Sequence, residues 1–384
     1  MRILFVNRYN AGYGGVEYYR AIQPATVLNG IGVDSFTVPL IHATEDIKAT
    51  INGEEVIMND EWLKGFDLIH FIRQIGLYEH TEGIVKRLNR LGIKFGLDLD
   101  DYWHLSDNHL VANEYKINKT TECTINSIKA AHFVTCTTPI LAYEIMKYNS
   151  NVEVIENGLD INHSAWQIEG TKSDKLRFGF MLGSTHYHDL KKAAPSVNNM
   201  LRSQNKGYQF VLAGFNAEPN KPSIYIGMEK LLTDNFNLVD KHYKHYLTMC
   251  RRDRNEDWIN QPYVRRWGVE VADWGHEYKH IDISVVPLVD NIFNNCKSEL
   301  KVIEAAFKGK GIIASNIYPY TICLTEKNSY LVNTAREFYD KMKRALTNPD
   351  EVVDKILQLR ADIMPKYNLQ TLSEKRKQIY EKYK

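Results

Sequence analysis

Basic, hydroxyl and acidic side chains come together in the last third of the chain, in a stretch with the apolar spacing of a helix. Lys297 and Ser298 open this stretch, and Lys301 and Glu304 follow within two turns. An ammonium group, a hydroxyl and the free N–H groups at a helix start are groups that hold phosphate. Because a helix has about 3.6 residues per turn, Glu304 shares a face with both lysines. A carboxylate in such a place can accept hydrogen bonds from ribose hydroxyls, as it does in dinucleotide-binding folds. From the residues alone, the alternative is an ordinary helix with a solvated charged face.

Three carboxylates crowd the end of a buried apolar run in the first half of the chain. Asp98, Asp100 and Asp101 stand there, within the sequence DLDDYWH that ends at His104. Carboxylates this close repel one another unless they are solvated, hydrogen-bonded or bound to something. One interpretation is a D-x-D metal site with oxygen ligands for magnesium or manganese beside a sugar diphosphate. The others are a cleft in which these groups bind a sugar or an acceptor hydroxyl without metal, and a solvated acidic loop.

Two strand-to-helix turns are rich in small residues. The first ends at Gly14 and Gly15, and the second contains Gly183 and Ser184, with His186 close behind. Small residues let a backbone approach a phosphate or a sugar closely. A tight turn without a ligand explains the first turn equally well, because it does not have the G-x-G-x-x-G spacing.

The elements that must position these residues alternate between strand and helix. Around the Lys297 stretch, the pattern predicts a strand at 282–288, a loop at 289–296, a helix at 297–307 and a strand at 311–315. Two buried apolar runs that flank a helix indicate parallel strands. Ligands of such sheets bind beyond the carboxyl ends of the strands, which is where the loop and Lys297 would lie.

The same alternation continues through both halves of the chain. The pattern predicts helices at 77–91, 113–130 and 139–149, and Pro24 predicts a break near Ile22 in an earlier helix. Residues 215–266 exceed what the alternation needs and are predicted to be an insertion. The further predicted strands are 2–7, 35–40, 67–72, 94–99, 132–137, 152–155, 176–182 and 208–214.

Composition narrows the class of protein. A chain of 384 residues is long enough for two domains. Its 48 basic and 47 acidic residues create no overall field that would attract nucleic acid or membrane. Five cysteines without C-x-x-C spacing indicate a reducing compartment. The chain shows no signal peptide and no apolar run near the ~20 residues that span a bilayer, so we expect a cytoplasmic protein whose membrane contact, if any, is peripheral.

Several segments resemble GT-B glycosyltransferases of family 4 and their relatives. Glu304-Ala305-Ala306, Gly309 and the run 311–315 are similar to the donor-binding segment of that family. The family's upstream glutamate is replaced by Cys296, and Lys297-Ser298 stands where Phe-Gly is common. A variant found in bacterial surface-polysaccharide transferases is similar at further positions, which are Asn291, Phe293, Asn294, Lys297, Ser298, Leu300, the DDYW run and the Tyr-x-Arg-Arg-Trp run that holds Arg265 and Arg266.

The resemblance implies an α/β protein of the GT-B fold, with two Rossmann-like doubly wound domains that face each other across a cleft. Residues 1–160 would form the acceptor domain, with helix 368–384 packing back onto it. Residues 161–367 would form the donor domain. The implied activity is transfer of a sugar from a UDP or GDP sugar to an acceptor hydroxyl, with retention and without a metal or other cofactor.

The resemblance also implies roles for single residues. Asp100, Asp101, His104 and Lys297 would be catalytic, and Arg20, Tyr102 and Trp103 would bind the acceptor. The acceptor would be a glycan or lipid-linked precursor, or a modified DNA base. The donor would be bound by Gly14, Gly15, Gly183, Ser184, His186, Arg265, Arg266, Asn291, Lys297, Ser298, Leu300 and Glu304.

Two alternatives stay open. A nucleotide-sugar epimerase can share this architecture and would turn over donor without an acceptor. A non-catalytic nucleic-acid-binding relative would use the insertion, where basic residues alternate with aromatic ones.

Overall fold

The structure is a computed structural model that describes residues 1–7, 14–38, 48–51, 54–203, 207–217, 223–233 and 261–384. The chain divides into two compact units. Unit 1 comprises Met1–Asp160, Asn295–Ser298 and Tyr367–Lys384, and unit 2 comprises Ile161–Asn294 and Glu299–Lys366.

Unit 1 contains a sheet of six parallel strands in the order β2-β1-β5-β6-β7-β8. This order is doubly wound, and its direction reverses between β1 and β5. A separate antiparallel pair, β3 and β4, lies outside this sheet. The strands are β1 Arg2–Val6, β2 Asp34–Val38, β3 Lys48–Ile51, β4 Glu54–Ile57, β5 Leu68–Ile72, β6 Lys94–Leu99, β7 Phe133–Cys136 and β8 Val152–Val154.

The helices of unit 1 follow the predicted alternation, but the helix predicted at 77–91 begins at Thr81 and the helix predicted at 139–149 ends at Met146. A π-helix over Tyr18–Ile22 lies just before Pro24, which confirms the predicted irregularity. The single helix predicted at 113–130 is wrong, because the chain breaks at Lys119, whose φ is +47°. The α-helices are α1 Gly15–Glu17, α2 Gln23–Gly30, α3 Asp60–Leu63, α4 Thr81–Leu91, α5 Ala112–Ile117, α6 Thr120–Ala130, α7 Pro139–Met146 and a C-terminal helix at Leu369–Tyr383.

The C-terminal helix packs onto one face of this sheet. Ile379 and Tyr380 share a buried cluster with Phe5 and Phe133 of the strands. The ring of Tyr383 stacks on Phe133 at a centroid distance of 4.4 Å. Residues at the end of the chain therefore complete the core of unit 1.

Unit 2 contains a second sheet of six parallel strands, in the order β11-β10-β9-β12-β13-β14. This is the 3-2-1-4-5-6 order of dinucleotide-binding folds, with the switch point between β9 and β12. The predicted α/β class with doubly wound sheets is confirmed. The strands are β9 Leu176–Met181, β10 Tyr208–Phe215, β11 Tyr263–Trp267, β12 Ile283–Val286, β13 Gly311–Ser315 and β14 Tyr330–Val332.

Two predictions for unit 2 need correction. The helix predicted from Lys297 begins at Leu300. The predicted insertion is in part regular, because Tyr263–Trp267 is the edge strand of the sheet, while residues 234–260 lie outside the described part. The α-helices are α8 Tyr187–Arg202, α9 Ile224–Thr233, α10 Trp274–Glu277, α11 Ile292–Asn295, α12 Leu300–Phe307, α13 Ala335–Thr347 and α14 Pro349–Ile363.

Membrane-crossing helices are not found in the described ranges, since none of their helices has both the length and the apolar character required.

Candidate functional site

An arginine holds the predicted acid pair at the carboxyl edge of the unit 1 sheet. Arg73 directly follows β5, and Asp100 and Asp101 follow the neighbouring strand β6. The Arg73 guanidinium donates to Asp100 from Nε at 2.8 Å and from Nη2 at 3.1 Å, and to Asp101 from Nη2 at 2.9 Å. Its φ of +67° lies in the left-handed region, which is uncommon for a residue with a side chain and often marks functional sites.

The charges of Arg73, Asp100 and Asp101 influence one another's pKa values. Burial by itself would lower the pKa of Arg73, but the neighbouring carboxylates raise it well above its ordinary value. Burial raises the pKa of Asp100, and repulsion from Asp101 adds to this effect against the attraction of Arg73. Asp100 therefore takes up a proton more readily than an ordinary aspartate.

Lys297 and Ser298 belong to this same cluster and lie before helix α12. The Lys297 Nζ lies 3.4 Å from Asp101 Oδ1. The Ser298 hydroxyl accepts a hydrogen bond from Asn157 Nδ2 at 2.8 Å. Cys296 lies in the core of unit 1, and its carbonyl accepts from the Thr138 hydroxyl at 3.3 Å. The structure thus brings Lys297 to the acid pair across 196 positions of sequence.

Arg20 is buried, with 1% of its surface exposed, and contacts the same strand β6 that the acid pair follows. Its guanidinium donates to both carboxylate oxygens of Asp98 at 2.8 Å, and to Asn157 Oδ1 at 3.1 Å. Burial would raise the pKa of Asp98, but Arg20 lowers it to about 2. These contacts show that Arg20 holds β6 and Asn157 in position. The acceptor-binding role of Arg20 stays a prediction.

The aromatic residues after the acid pair form a recess. Trp103 is buried and Tyr102 half-buried, with ring centroids 5.0 Å apart. His104 is exposed, 5.3 Å from the Tyr102 ring. The recess is small and is also lined by Arg73 and Asp101. Tyr102 and Trp103 therefore line the recess with Asp101, and His104 lies against their rings.

A second polar cluster occupies the switch point of the unit 2 sheet. Gly183 precedes a turn of 3₁₀-helix at Ser184–His186, and α8 follows. His186 Nδ1 lies 2.9 Å from Asp189 Oδ2. The other oxygen of Asp189 accepts from the Val289 amide at 2.9 Å and from Asn294 Nδ2 at 2.8 Å. Asp189 thus ties the loop after β9 to the loop after β12.

The electrostatics of this cluster follow from those contacts. Burial would raise the pKa of Asp189, but the hydrogen bond with His186 and the bonds from Val289 and Asn294 lower it. Asn291 helps to shape the second loop, because its side-chain oxygen accepts from the Asn294 amide at 2.9 Å. Asp189 is therefore an anion at neutral pH.

Lys192 adds a cation at the same edge of the sheet. Its Nζ donates to the Leu288 carbonyl at 3.2 Å and to the Ser315 hydroxyl at 3.3 Å. These residues follow β12 and end β13. Partial burial lowers the pKa of Lys192. Its hydrogen-bond partners are a carbonyl and a hydroxyl, and no carboxylate among the described residues lies at salt-bridge distance from it.

Two further predicted donor residues of unit 2, Glu304 and Leu300, lie in helix α12. Glu304 is 1% exposed and accepts from the Tyr278 hydroxyl at 2.7 Å and from Lys301 Nζ at 2.9 Å. Leu300 is the first residue of α12 and is half-buried.

The two arginines of β11 are also paired. Arg265 is fully buried and donates to Glu229 at 2.6 Å and 2.9 Å. Arg266 donates to Glu277 at 3.0 Å and 3.2 Å. Burial raises the pKa of Glu229 and Arg265 opposes that rise. A buried carboxylate needs such a partner, so these contacts explain both arginines without a phosphate.

The glycines at the start of α1 differ from each other. A Cβ on Gly14 would run into the carboxylate of Glu17, whereas a Cβ on Gly15 would meet open space. Gly15 is exposed on the backbone turn into the helix. Neither residue contacts the acid pair in any described hydrogen bond or ring contact.

Sequence reasoning missed Arg73, Asp189 and Tyr278. A charged residue directly after a fully buried apolar strand was the available signal for Arg73. Asp189 stands in the first turn of α8, where an acidic residue is common for dipole reasons alone. Tyr278 carried no signal, because its contact with Glu304 depends on the packing of two helical segments.

Comparison with solved structures identifies the fold. Sucrose-phosphate synthase from Thermosynechococcus elongatus is similar with a TM-score of 0.66 and 13% identity, covering 99% of this chain and 98% of that chain. A glycosyltransferase from Rickettsia africae is similar with a TM-score of 0.65 and 14% identity, covering 100% of this chain and 98% of that chain. Anabaena HepE in complex with UDP-glucose is similar with a TM-score of 0.62 and 12% identity, covering 100% of this chain and 99% of that chain.

No protein-family model matches the chain, and no curated protein matches it in sequence. The structural similarity extends over both units and over nearly the full length of the compared proteins. The chain therefore has the GT-B fold of these glycosyltransferases, as its resemblance to them implied.

Proposed function

We propose that the protein is a glycosyltransferase that moves a sugar from a nucleotide-diphosphate sugar, most simply a UDP sugar, to an acceptor hydroxyl. The observation that carries the proposal is the acid pair held by Arg73 and Lys297 at the carboxyl edge of the unit 1 sheet. Such edges are where doubly wound sheets bind ligands. The full-length likeness to HepE, which was solved with UDP-glucose, supports the choice of donor.

In the proposed reaction, unit 2 binds the donor at its switch point, between the loops after β9 and β12. Lys192 and the N–H groups around Gly183 would stabilise the charge that develops on the leaving diphosphate. Asp189 orders both loops and gives His186 its orientation. The nucleotide sugar is a substrate here and not a cofactor. The proposal includes no metal or other cofactor, and it includes retention of configuration at the transferred sugar.

Unit 1 would bind the acceptor beside Asp100 and Asp101. A hydroxyl placed there can donate to a carboxylate, which orients its oxygen for attack. Lys297 and Arg73 keep the acid pair in place and limit its net charge. We propose Asp100 or Asp101 as the acidic group nearest to the transferred sugar, with His104 as an assisting group.

Calorimetric titration with UDP, GDP and ADP tests the donor side. We expect UDP to bind more tightly than ADP, and NMR of an incubation with a UDP sugar and methyl glycosides should show a new glycosidic product. Asp101→Asn should abolish most of the product while UDP affinity stays within about twofold, because this carboxylate acts on the acceptor. If none of the three nucleotides binds, the transferase assignment is wrong.

A further inference from the structure

The C-terminal helix carries two buried polar side chains, Arg376 and Tyr380, that reach the sheet of unit 1. The Tyr380 hydroxyl lies 2.7 Å from Nδ1 of His70 in β5. Arg376 Nη1 lies 3.6 Å from Oδ2 of Asp98 in β6. All four residues belong to unit 1. The end of the chain therefore contacts both of the strands that Arg73 and the acid pair follow.

The hydrogen bonds that join these side chains run in one direction. Arg376 Nη1 donates to the Tyr380 oxygen at 3.2 Å. The ionised Asp98 can only accept, so the Thr135 hydroxyl donates to it at 2.5 Å. The Thr135 oxygen, 3.3 Å from His70 Nε2, then accepts from that nitrogen, which leaves His70 Nδ1 to accept from Tyr380. We call this series, from Arg376 to Asp98, the polar chain. All of its members are buried, so a turned member would leave a buried polar group without its partner, which is costly.

Attachment of the helix to the sheet does not by itself require the polar chain. Ile379 packs in an apolar cluster with Phe5, and the Tyr383 ring stacks on Phe133 at 4.4 Å. Replacing both partners of a buried hydrogen bond by apolar groups of the same shape is often neutral or stabilising. A fully satisfied polar network instead fixes one arrangement of the groups that it joins. The polar chain therefore fixes how β5, β6 and the helix lie relative to one another.

That arrangement includes the backbone of the acid pair. The Arg73 amide donates to the Asp98 carbonyl at 2.8 Å, so the left-handed backbone of Arg73 is bonded to the residue at which the polar chain ends. Asp100 and Asp101 follow Asp98 in the same segment, and both accept from the Arg73 guanidinium. A displacement of Asp98 would therefore move the acid pair and its counter-ion together.

We propose that Arg376 and Tyr380 are positioning residues of the acid pair, so that the C-terminal helix sets the geometry in which Asp100 and Asp101 act. In the described part of the chain, neither residue has a hydrogen bond or an ion pair with the acid pair itself. Both act through the polar chain and the strand ends that it joins. The catalytic meaning of this role rests on the proposed function, whereas the positioning itself does not.

Hydrogen–deuterium exchange followed by mass spectrometry tests the positioning in the full chain. Tyr380→Phe removes one hydroxyl and keeps the ring, which packs against Phe5 and Phe133. We expect amide exchange in the peptides that contain Arg73 and Asp100 to become about tenfold faster, because a buried hydrogen-bond partner is lost. Exchange in β2, which takes no part in the polar chain, should keep its wild-type rate.

Tyr383→Phe is the matched control for this measurement. It removes the hydroxyl of another tyrosine of the same helix, whose partner is Glu153 at 3.4 Å, and it should exchange like the wild type. Equal acceleration over all peptides of unit 1 in Tyr380→Phe would mean that the hydroxyl only stabilises the fold, and it would overturn the proposal. Unchanged exchange at Arg73 and Asp100 would overturn it as well.

Variants of Arg376 give a second, independent readout. Arg376→Met should accelerate exchange in the same peptides, and Arg376→Lys should restore most of the protection because it keeps a positive charge and a donor. Lys375→Met is the control on the same helix, since Lys375 is more exposed and pairs with Glu156 at 2.9 Å, and it should exchange like the wild type. Equal exchange in the methionine and lysine variants of Arg376 would overturn the role of that residue. If Arg376→Met does not fold, Tyr380→Phe decides the proposal by itself.

Kinetics separate this inference from the proposed function. In Tyr380→Phe, kcat should fall about tenfold while the dissociation constant for UDP stays within about twofold, because the donor is proposed to bind unit 2. If UDP does not bind to the wild type and no product forms, the transferase assignment fails, and the exchange measurement still decides whether the helix positions the acid pair. If the wild type forms product and Tyr380→Phe keeps the wild-type kcat, the transferase assignment stands and this inference fails.

Discussion

The guanidinium of Arg73 binds both carboxylate oxygens of Asp100, at 2.8 Å and 3.1 Å. The two residues directly follow neighbouring parallel strands, and their side chains meet at the edge of the unit 1 sheet. The backbone of Arg73 is left-handed, with a φ of +67°. Such a backbone in a residue with a side chain costs free energy, on the order of 1–3 kcal/mol, so the surrounding contacts must hold it. This pair organises the acid cluster on which the proposed function depends.

Replacing Arg73 by methionine should destabilise unit 1. Loss of the guanidinium leaves Asp100 and Asp101 facing each other without their main counter-ion, so their mutual repulsion grows. Because the Arg73 side chain is still 25% exposed, we expect the free energy of unfolding to fall by about 1–3 kcal/mol rather than by the larger amount of a fully buried pair. Urea denaturation at pH 7.5 measures the change.

Two further variants check the cause. Arg73→Lys keeps the charge but lacks the two-pronged geometry, so it should lie between the wild type and Arg73→Met. The double variant Arg73→Met/Asp101→Asn should recover part of the loss. A methionine variant as stable as the wild type would show that the pair does not stabilise the fold.

Stability should fall as the pH drops below about 6.5 because of His70. This imidazole is fully buried, with Nδ1 2.7 Å from the Tyr380 hydroxyl and Nε2 3.3 Å from the Thr135 hydroxyl. Burial lowers the pKa of His70 from 6.5 to about 3. The unfolded chain takes up a proton near pH 6.5 and the folded chain only near pH 3, so the stabilisation is complete above pH 6.5 and is lost progressively below it. We expect a loss of about 2 kcal/mol by pH 5.

Comparing His70→Gln with the wild type isolates this effect. Urea denaturation at pH 7.5 and pH 5.0 should show a smaller pH dependence in the variant. Burial also lowers the pKa of His280 in unit 2 to about 3, but His280 is present in both proteins and cancels in the comparison. His188→Gln, which removes an exposed imidazole, serves as the control and should behave like the wild type. An unchanged pH dependence in His70→Gln would contradict the assignment.

Glu304→Ala should weaken binding of the donor more than it alters the chemical step. The residue resembles a ribose-binding glutamate by its place in the sequence, yet its carboxylate is engaged by Tyr278 and Lys301. If the carboxylate also reaches the nucleotide, the dissociation constant for UDP should rise about tenfold or more. Calorimetric titration provides the number.

Tyr278→Phe is the matched control for this experiment. It removes the hydroxyl that donates to Glu304 while leaving the carboxylate in place. We expect its UDP affinity to lie within about threefold of the wild-type value. Equal UDP affinity in wild type and Glu304→Ala would remove the ribose role from this residue.

Gly96→Ala should loosen the packing of the C-terminal helix. A Cβ at Gly96 would overlap the ring of Phe133, which stacks on Tyr383 at 4.4 Å and on His70 at 5.5 Å. Overpacking of this kind costs about 1–3 kcal/mol, and thermal unfolding followed by circular dichroism measures it. Gly15→Ala is the control, because a Cβ there meets open space. Equal melting temperatures for the two variants would mean that the ring moves aside freely.

The fold was largely predictable because its determinants are local. Strand β6 was predicted at 94–99 and spans Lys94–Leu99, since a buried apolar run bounded by polar residues is visible in the sequence itself. The edge strand Tyr263–Trp267 was assigned to an insertion instead. It is short and carries two arginines, and the buried carboxylates that neutralise them are Glu229 and Glu277, which no local pattern connects to the strand.

The sequence by itself determined the alternation of strands and helices, the α/β class and the place of the acidic run at a strand end. These follow from hydrophobic periodicity and turn residues, which act over a few positions. Only the tertiary structure decided which charges meet. Arg73 reaches Asp100 across 27 positions because β5 and β6 pair side by side. Lys297 reaches Asp101 across 196 positions because residues Asn295–Ser298 fold as part of unit 1, and no local pattern encodes that packing.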